Sequence, residues 1–77
     1  MSSLKVRQYV RIVRNVSTGD SYTEVETFTQ VQASEIGAVV EPDGLNVVAA
    51  QRLCARWTRL GSYGSIQYSY APHYADE

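Results

Sequence analysis

Three arginines, Arg52, Arg56 and Arg59, stand in the stretch QRLCARWTRLGSYGSIQYSY, and the tyrosines Tyr63, Tyr68 and Tyr70 follow closely behind them. On a helix this spacing gathers the three guanidinium groups on one face. Such groups are planar forks that match carboxylates and phosphates two hydrogen bonds at a time. Tyrosine rings nearby can stack on bases or anchor a protein interface. The chemistry these residues offer is recognition. The plainer use of the same residues is to keep the outer side of a helix wet and to close a core with hydroxyls left in water.

Covalent chemistry is harder to assemble. The single cysteine, Cys54, sits among apolar neighbours, and the single histidine, His73, comes near the chain end. A nucleophile and its base must lie within hydrogen-bond reach, and nothing in the spacing brings these two together. One cysteine and one histidine also supply too few ligands for a zinc site. Glu24 and Glu26 share one face of an extended segment, as paired carboxylates would, but nearby arginines account for them. The GSYG sequence has the bare G-x-x-G pattern of a KH-type loop. That loop joins two helices, whereas a strand is expected here and no basic residue lies inside it, so a helix stop and a turn explain both glycines. P-loop and dinucleotide-binding fingerprints are absent. The expectation is a protein that is not an enzyme, with no catalytic residues, no cofactor and no bound metal.

The elements that must position these residues follow from periodicity. KVRQYVRIVRNV alternates, with Val6, Val10, Ile12 and Val16 on one parity and Lys5, Arg7, Tyr9 and Arg11 on the other, which predicts a half-buried strand with the valine face inward. STGD is a turn, and SYTEVETFT is a second strand rich in β-formers. Two registers compete for this hairpin. A three-residue loop, Ser17-Thr18-Gly19, is a favoured turn but sets Ile12 opposite Glu24 and Val10 opposite Glu26. A two- or four-residue loop pairs Ile12 with Val25, Val10 with Thr27 and Arg11 with Glu26, gathering apolar groups on one side and opposite charges on the other. Burial decides for the second.

QVQASEIGAVV is expected to be a short helix or irregular segment, with Ser34 as a candidate cap; the alternative is a pair of short strands, GAVV and LNVV, around EPDG. EPDG is a turn, because Pro42 fixes φ and Gly44 accepts a left-handed conformation. Asn46 then caps a helix running to about Leu60, with Gly61 as its stop. Val47, Ala50, Leu53, Cys54, Trp57 and Leu60 fall on one broad arc of it, and Arg52, Arg56 and Arg59 fall opposite within roughly 60°. Arg59 also suits the negative end of the helix dipole. IQYSYA alternates again and reads as a closing strand, and residues 71–77 read as a flexible tail beginning near Pro72. The predicted fold class is α+β: a small antiparallel sheet, made of an N-terminal β-hairpin plus a C-terminal strand, with one main amphipathic helix packed on one face.

Composition sets the bounds. A chain of 77 residues with 44% hydrophobic and 19% charged residues reads as one small folded domain, residues 1–77. A homodimer would add burial to so small a core. A lone cysteine excludes an internal disulfide and points to a reducing compartment. MSSLKVRQYV meets charge too early for a signal peptide, and no apolar run approaches the roughly 20 residues that span a bilayer. A cytoplasmic protein with no membrane contact is expected. Net charge is −1, but basic residues cluster at Lys5, Arg7, Arg11 and Arg14 and again at Arg52, Arg56 and Arg59, with acids between. Segregation of this kind creates local fields despite a near-zero total.

The plan of a RQYVRIVRNVSTGDSYTEVETF hairpin, an NVVAAQRLCARWTRLG helix and a last SIQYSY strand resembles small phage-encoded proteins, among them anti-CRISPR inhibitors. The resemblance is one of architecture and size and carries no diagnostic motif or residue roles. It implies a phage or mobile-element inhibitor that occupies a surface of a larger nucleic-acid-handling assembly, such as a host nuclease complex. The expected function is thus a protein–protein interaction module whose partner-binding residues are Arg52, Arg56, Arg59, Tyr63, Tyr68 and Tyr70. The alternative is a small nucleic-acid-binding protein using the same arginine face and tyrosines.

Overall fold

Alternation at the N-terminus does produce extended backbone, though in two pieces. The computed structural model describes residues 5–74. Lys5–Val6 forms a short strand, β1, and beyond Arg7 the chain continues as β2, Gln8–Asn15. The hairpin partner β3 is Ser21–Thr27. A single helical turn, α1, Gln30–Ala33, runs into a 3-10 turn at Ser34–Ile36. Then come β4, Leu45–Asn46, the main helix α2, Val47–Leu60, and β5, Ile66–His73. The larger sheet has the antiparallel order β3-β2-β5, and β1 pairs with β4 in a small second sheet. This is the α+β architecture expected: a hairpin and a C-terminal strand with α2 laid mainly over β5.

The hairpin register keeps the expected parity but slides by two residues. Val10 faces Val25, Ile12 faces Thr23 and Arg11 faces Glu24. The cause is Asn15. Its side-chain oxygen accepts from the N–H groups of Ser17 (2.9 Å) and Thr18 (3.2 Å), and its carbonyl accepts from Gly19 (2.8 Å). An Asx turn of this type starts the loop early, so the strands meet sooner than the apolar pattern alone suggests.

Which face of β2 is buried is the reverse of the expectation. Tyr9 and Val13 are buried, while Val10 is half-buried and Ile12 exposed. The register places Tyr9 and Arg11 opposite Pro72 and Tyr70 on β5, and Tyr70 packs against Trp57 of α2. Aromatic rings carry the larger burial, on the order of 150–250 Å² each, so the tyrosine face goes under the helix. Val6 is buried through a different route, in β1, where the interruption at Arg7 redirects the strand.

Between the hairpin and α2, the cap of the short helix is Thr29, not Ser34. Thr29 Oγ1 accepts from the Gln32 N–H, and the Gln32 side chain accepts from the Thr29 N–H, a complete capping box. The EPDG turn closes as expected through reciprocal bonds between Glu41 and Gly44. Gly44 has φ +119, and a Cβ there would stand 2.7 Å from the Val6 carbonyl oxygen. Lys5 holds the same turn from outside through Glu41 and Asp43.

Asn46 caps α2 as expected, accepting from Val48 N–H (2.9 Å) and Ala49 N–H (3.3 Å). Gly61 ends the helix for another reason than a left-handed turn, since it remains in the right-handed region. A Cβ at Gly61 would meet the Trp57 carbonyl at 2.9 Å and the Tyr68 Cβ at 3.0 Å. Close approach of helix and strand requires the glycine. Leu60, placed by periodicity on the apolar arc, is the last residue of α2 and is 69% exposed. β5 continues through Pro72 to His73, so residues 71–73 belong to the sheet rather than to a tail. Pro72 can lie in the strand because β5 is an edge, where a missing N–H costs no ladder bond. Tyr74 follows outside any strand, and residues 75–77 of the expected tail lie outside the described residues.

Candidate functional site

Trp57 fixes the orientation of α2 and hence of its arginines. Its ring lies 4.9 Å from Tyr9 and 5.4 Å from Tyr70, both edge-on, and 6.0 Å from Phe28. The indole N–H donates to a Glu35 carboxylate oxygen at 3.1 Å. With Leu53, Cys54 and Ala50 buried beside it, the inner side of the helix is locked. Arg52, Arg56 and Arg59 are exposed on the outer side.

These three cations differ in their neighbours. Arg56 Nε stands 3.5 Å from the same Glu35 oxygen that receives the indole, with the two side chains 51% and 39% exposed. Pairs in that degree of contact with water contribute at most about 1 kcal/mol. Arg52 and Arg59 form no ion pair among the described residues. Recruitment of Glu35, which the sequence left in an indistinct segment, is the work of the 3-10 turn after α1.

The three tyrosines separate. Tyr63 is 83% exposed, in the turn that follows α2. Tyr70 belongs to the aromatic cluster with Trp57 and Tyr9, which makes it part of the support for the surface. Tyr68, half-buried, lines a groove of about 450 Å³ at the hairpin end of the sheet, with Val13, Asn15, Thr18, Asp20, Tyr22 and Ile66. The structure therefore leaves Tyr63 beside the arginine helix and assigns Tyr70 and Tyr68 to other places.

That groove is a second region, and sequence reading passed over it. It exists because α2 ends before the hairpin does. Arg11 occupies the middle of the same sheet face, its terminal nitrogen donating to Glu24 at 2.7 Å. Burial disfavours its charge, but Tyr9, Tyr70 and Glu24 more than compensate, and the guanidinium pKa lies above its ordinary value. Its Nε is buried without a hydrogen-bond partner among the described residues. The alternation of Tyr22, Glu24 and Glu26 against Thr23, Val25 and Thr27 was the available signal for this face.

Cys54 and His73 do not meet. Cys54 is buried between helix and sheet, while His73 has the parity of the opposite sheet face, paired with Gln8. Burial raises the Cys54 thiol to about 11, so it is a protonated core group at neutral pH. Among the described residues no His, Cys, Asp and Glu side chains cluster as metal ligands, and no helix is long and apolar enough to cross a membrane. No protein-family model matches the sequence, and no curated protein or solved structure gives a match to it.

Proposed function

We propose that the protein works by binding, as a protein–protein interaction module whose contact surface is the arginine face of α2 with Tyr63 in the turn beyond it. One observation carries this reading. Arg52, Arg56 and Arg59 stand exposed on a helix whose opposite side is pinned by the Trp57 cluster. Charges held on a fixed base lose less freedom when they bind, and guanidinium forks favour a carboxylate-bearing partner. Extended by its resemblance to small phage-encoded inhibitors, the reading places that partner in a nucleic-acid-handling complex of the cytoplasm.

The test is capture from an extract of the native host on immobilised protein, alongside a variant carrying Arg52→Ala, Arg56→Ala and Arg59→Ala. A protein retained by the first and lost with the second is expected, with unchanged circular dichroism. Equal retention by both would overturn the proposal. Tyr63, exposed in the turn beyond α2, gives the nucleic-acid reading its own support, since a free ring can stack on a base. That reading requires retained nucleic acid whose affinity falls with salt at a log–log slope of about −2 to −3, as three phosphate contacts dictate.

A further inference from the structure

Hydrogen-bond direction distinguishes the two edges of the three-stranded sheet. Asn15 donates to the Asp20 carbonyl (2.8 Å) and Phe28 to the Arg7 carbonyl (3.0 Å), so odd-numbered residues of β2 bond toward β3. Val16 donates to the Ser65 carbonyl (2.9 Å), so even-numbered residues bond toward β5. With Arg11 opposite Glu24, the antiparallel pattern turns the Glu24 backbone inward and those of Ser21, Thr23, Val25 and Thr27 outward. Among the described residues these outward N–H and C=O groups have no backbone partner.

The β5 edge is finished differently. Tyr63 and Ile66 exchange N–H···O=C bonds (2.9 and 3.0 Å). Thr58 of α2 accepts the Tyr70 N–H on Oγ1 (2.8 Å) and donates to the Tyr70 carbonyl (3.4 Å), behaving as a surrogate strand. Pro72 has no N–H to offer. Edges left bare in monomeric proteins are ordinarily blunted by lysine, proline or a bulge. β3 reads Ser-Tyr-Thr-Glu-Val-Glu-Thr and pairs in unbroken register from Thr27 to Ser21, so it has no lysine, proline or bulge, and the charges that guard it are the carboxylates of Glu24 and Glu26.

We propose that the outer edge of β3 receives an extended, basic segment of a partner protein as a fourth strand. Charge selects this occupant. Tyr22, Glu24 and Glu26 project on the helix side of the sheet, opposite Val13, Arg11 and Tyr9, and Glu26 has no ion pair among the described residues. In a two-fold pairing with a second copy, the outward residues must face one another. Centred on Thr23 this sets Glu26 against Asp20; centred on Glu24, the two Glu24 side chains meet; centred on Val25, Glu24 meets Glu26. Like charges directly opposite are destabilising, so each of these registers disfavours the second copy. A partner strand with arginine or lysine at alternate positions meets Glu26 as an opposite charge, adds to Glu24 beside its Arg11 pair, and presents its other side chains beside Val25. Main-chain bonds then provide affinity, and the alternate pairs provide selectivity.

This site is separate from the arginine face of α2, and its test distinguishes the two. A terminally blocked peptide, Thr-Arg-Val-Arg-Thr-Arg-Val, is titrated into the isotopically labelled full chain, beside its glutamate counterpart and a copy N-methylated on the amides that face β3. The basic peptide is expected to bind saturably, to protect the Thr23, Val25 and Thr27 amides from exchange, and to bind equally well to the Arg52/Arg56/Arg59 alanine variant. Glu26→Lys should weaken it about fivefold, as removal of one cross-strand pair implies. Val25→Pro removes an outward N–H without breaking the ladder to β2 and should abolish binding, as should N-methylation of the peptide. Binding that leaves those amides unprotected, or equal binding of the glutamate or N-methylated peptide, overturns the proposal. So does a concentration-dependent dimer that protects the same amides before any peptide is added.

Discussion

The two ends of the three-stranded sheet are built from similar residues and behave differently. At one end Tyr9, Phe28, Tyr70 and Trp57 interlock beneath α2, with ring centroids 4.9–6.0 Å apart. At the other, Val13, Tyr22, Ile66 and Tyr68 line an open groove that the helix does not reach. Tyrosines occur at both ends, so residue type alone does not decide burial. Position relative to the helix does. The covered end is the packed platform, and the exposed charges lie around it, as arginines on the outer helix face and as acids along β3.

If that contrast is correct, truncation should be costly at the covered end and nearly neutral at the bare one. Trp57→Ala removes the ring that joins α2 to Tyr9, Phe28 and Tyr70 and should cost about 3–5 kcal/mol, read from urea denaturation. A loss below about 1 kcal/mol would mean that the covered end is not the platform described.

Cys54 offers a chemical probe of the same end. Its thiol holds its proton more tightly in the folded protein, at about 11 against an ordinary 9.0. The folded state therefore binds more protons between those values, and stability falls as pH rises through that window, by on the order of 3 kcal/mol in total. Cys54→Ala should flatten this part of the pH–stability curve, whereas superimposable curves would show that the thiol is not shielded. In the wild type, alkylation should follow unfolding.

A smaller effect is expected at the seam between helix and edge strand. Thr58→Val preserves shape but leaves the Tyr70 N–H and C=O without their partner, at a cost of about 1–2 kcal/mol. Thr58→Ser should recover most of it. Least affected should be Tyr22→Ala in the groove, where the side chain is 57% exposed; a change within about 0.5 kcal/mol is expected. A loss comparable to that of Trp57→Ala would erase the distinction between the two ends.

Legibility in the sequence tracked how local the governing interaction is. The α2 cap at Asn46 and the EPDG turn depend on residues a few positions apart, and both were readable. Thr29 and Gln32 also form a local signature, yet a single helical turn is too short for periodicity to announce it. Glu35 meets Trp57 and Arg56 across the fold, so its role could not be read from neighbours. The hairpin parity was readable from alternation, but its two-residue slide depends on Asn15 bonding its own loop. As for the residues expected to bind a partner, exposure of the arginine row follows from helical spacing, whereas the separation of Tyr63, Tyr68 and Tyr70 depends on where the helix stops.

By itself, the sequence determined that β2 has two contrasting faces, that α2 has an apolar side and an arginine side, and where the main turns fall, because each rests on bonds and periodicities within one segment. Tertiary structure alone decided which face of β2 lies inside. Both faces carry apolar residues, Val10 and Ile12 on one and Tyr9 and Val13 on the other, and the choice was made by Trp57 and Tyr70, whose rings fit around Tyr9. The same packing closed the β5 edge with Thr58 and Pro72 and left the acidic β3 edge open, since one helix is wide enough to cover only one side of the sheet.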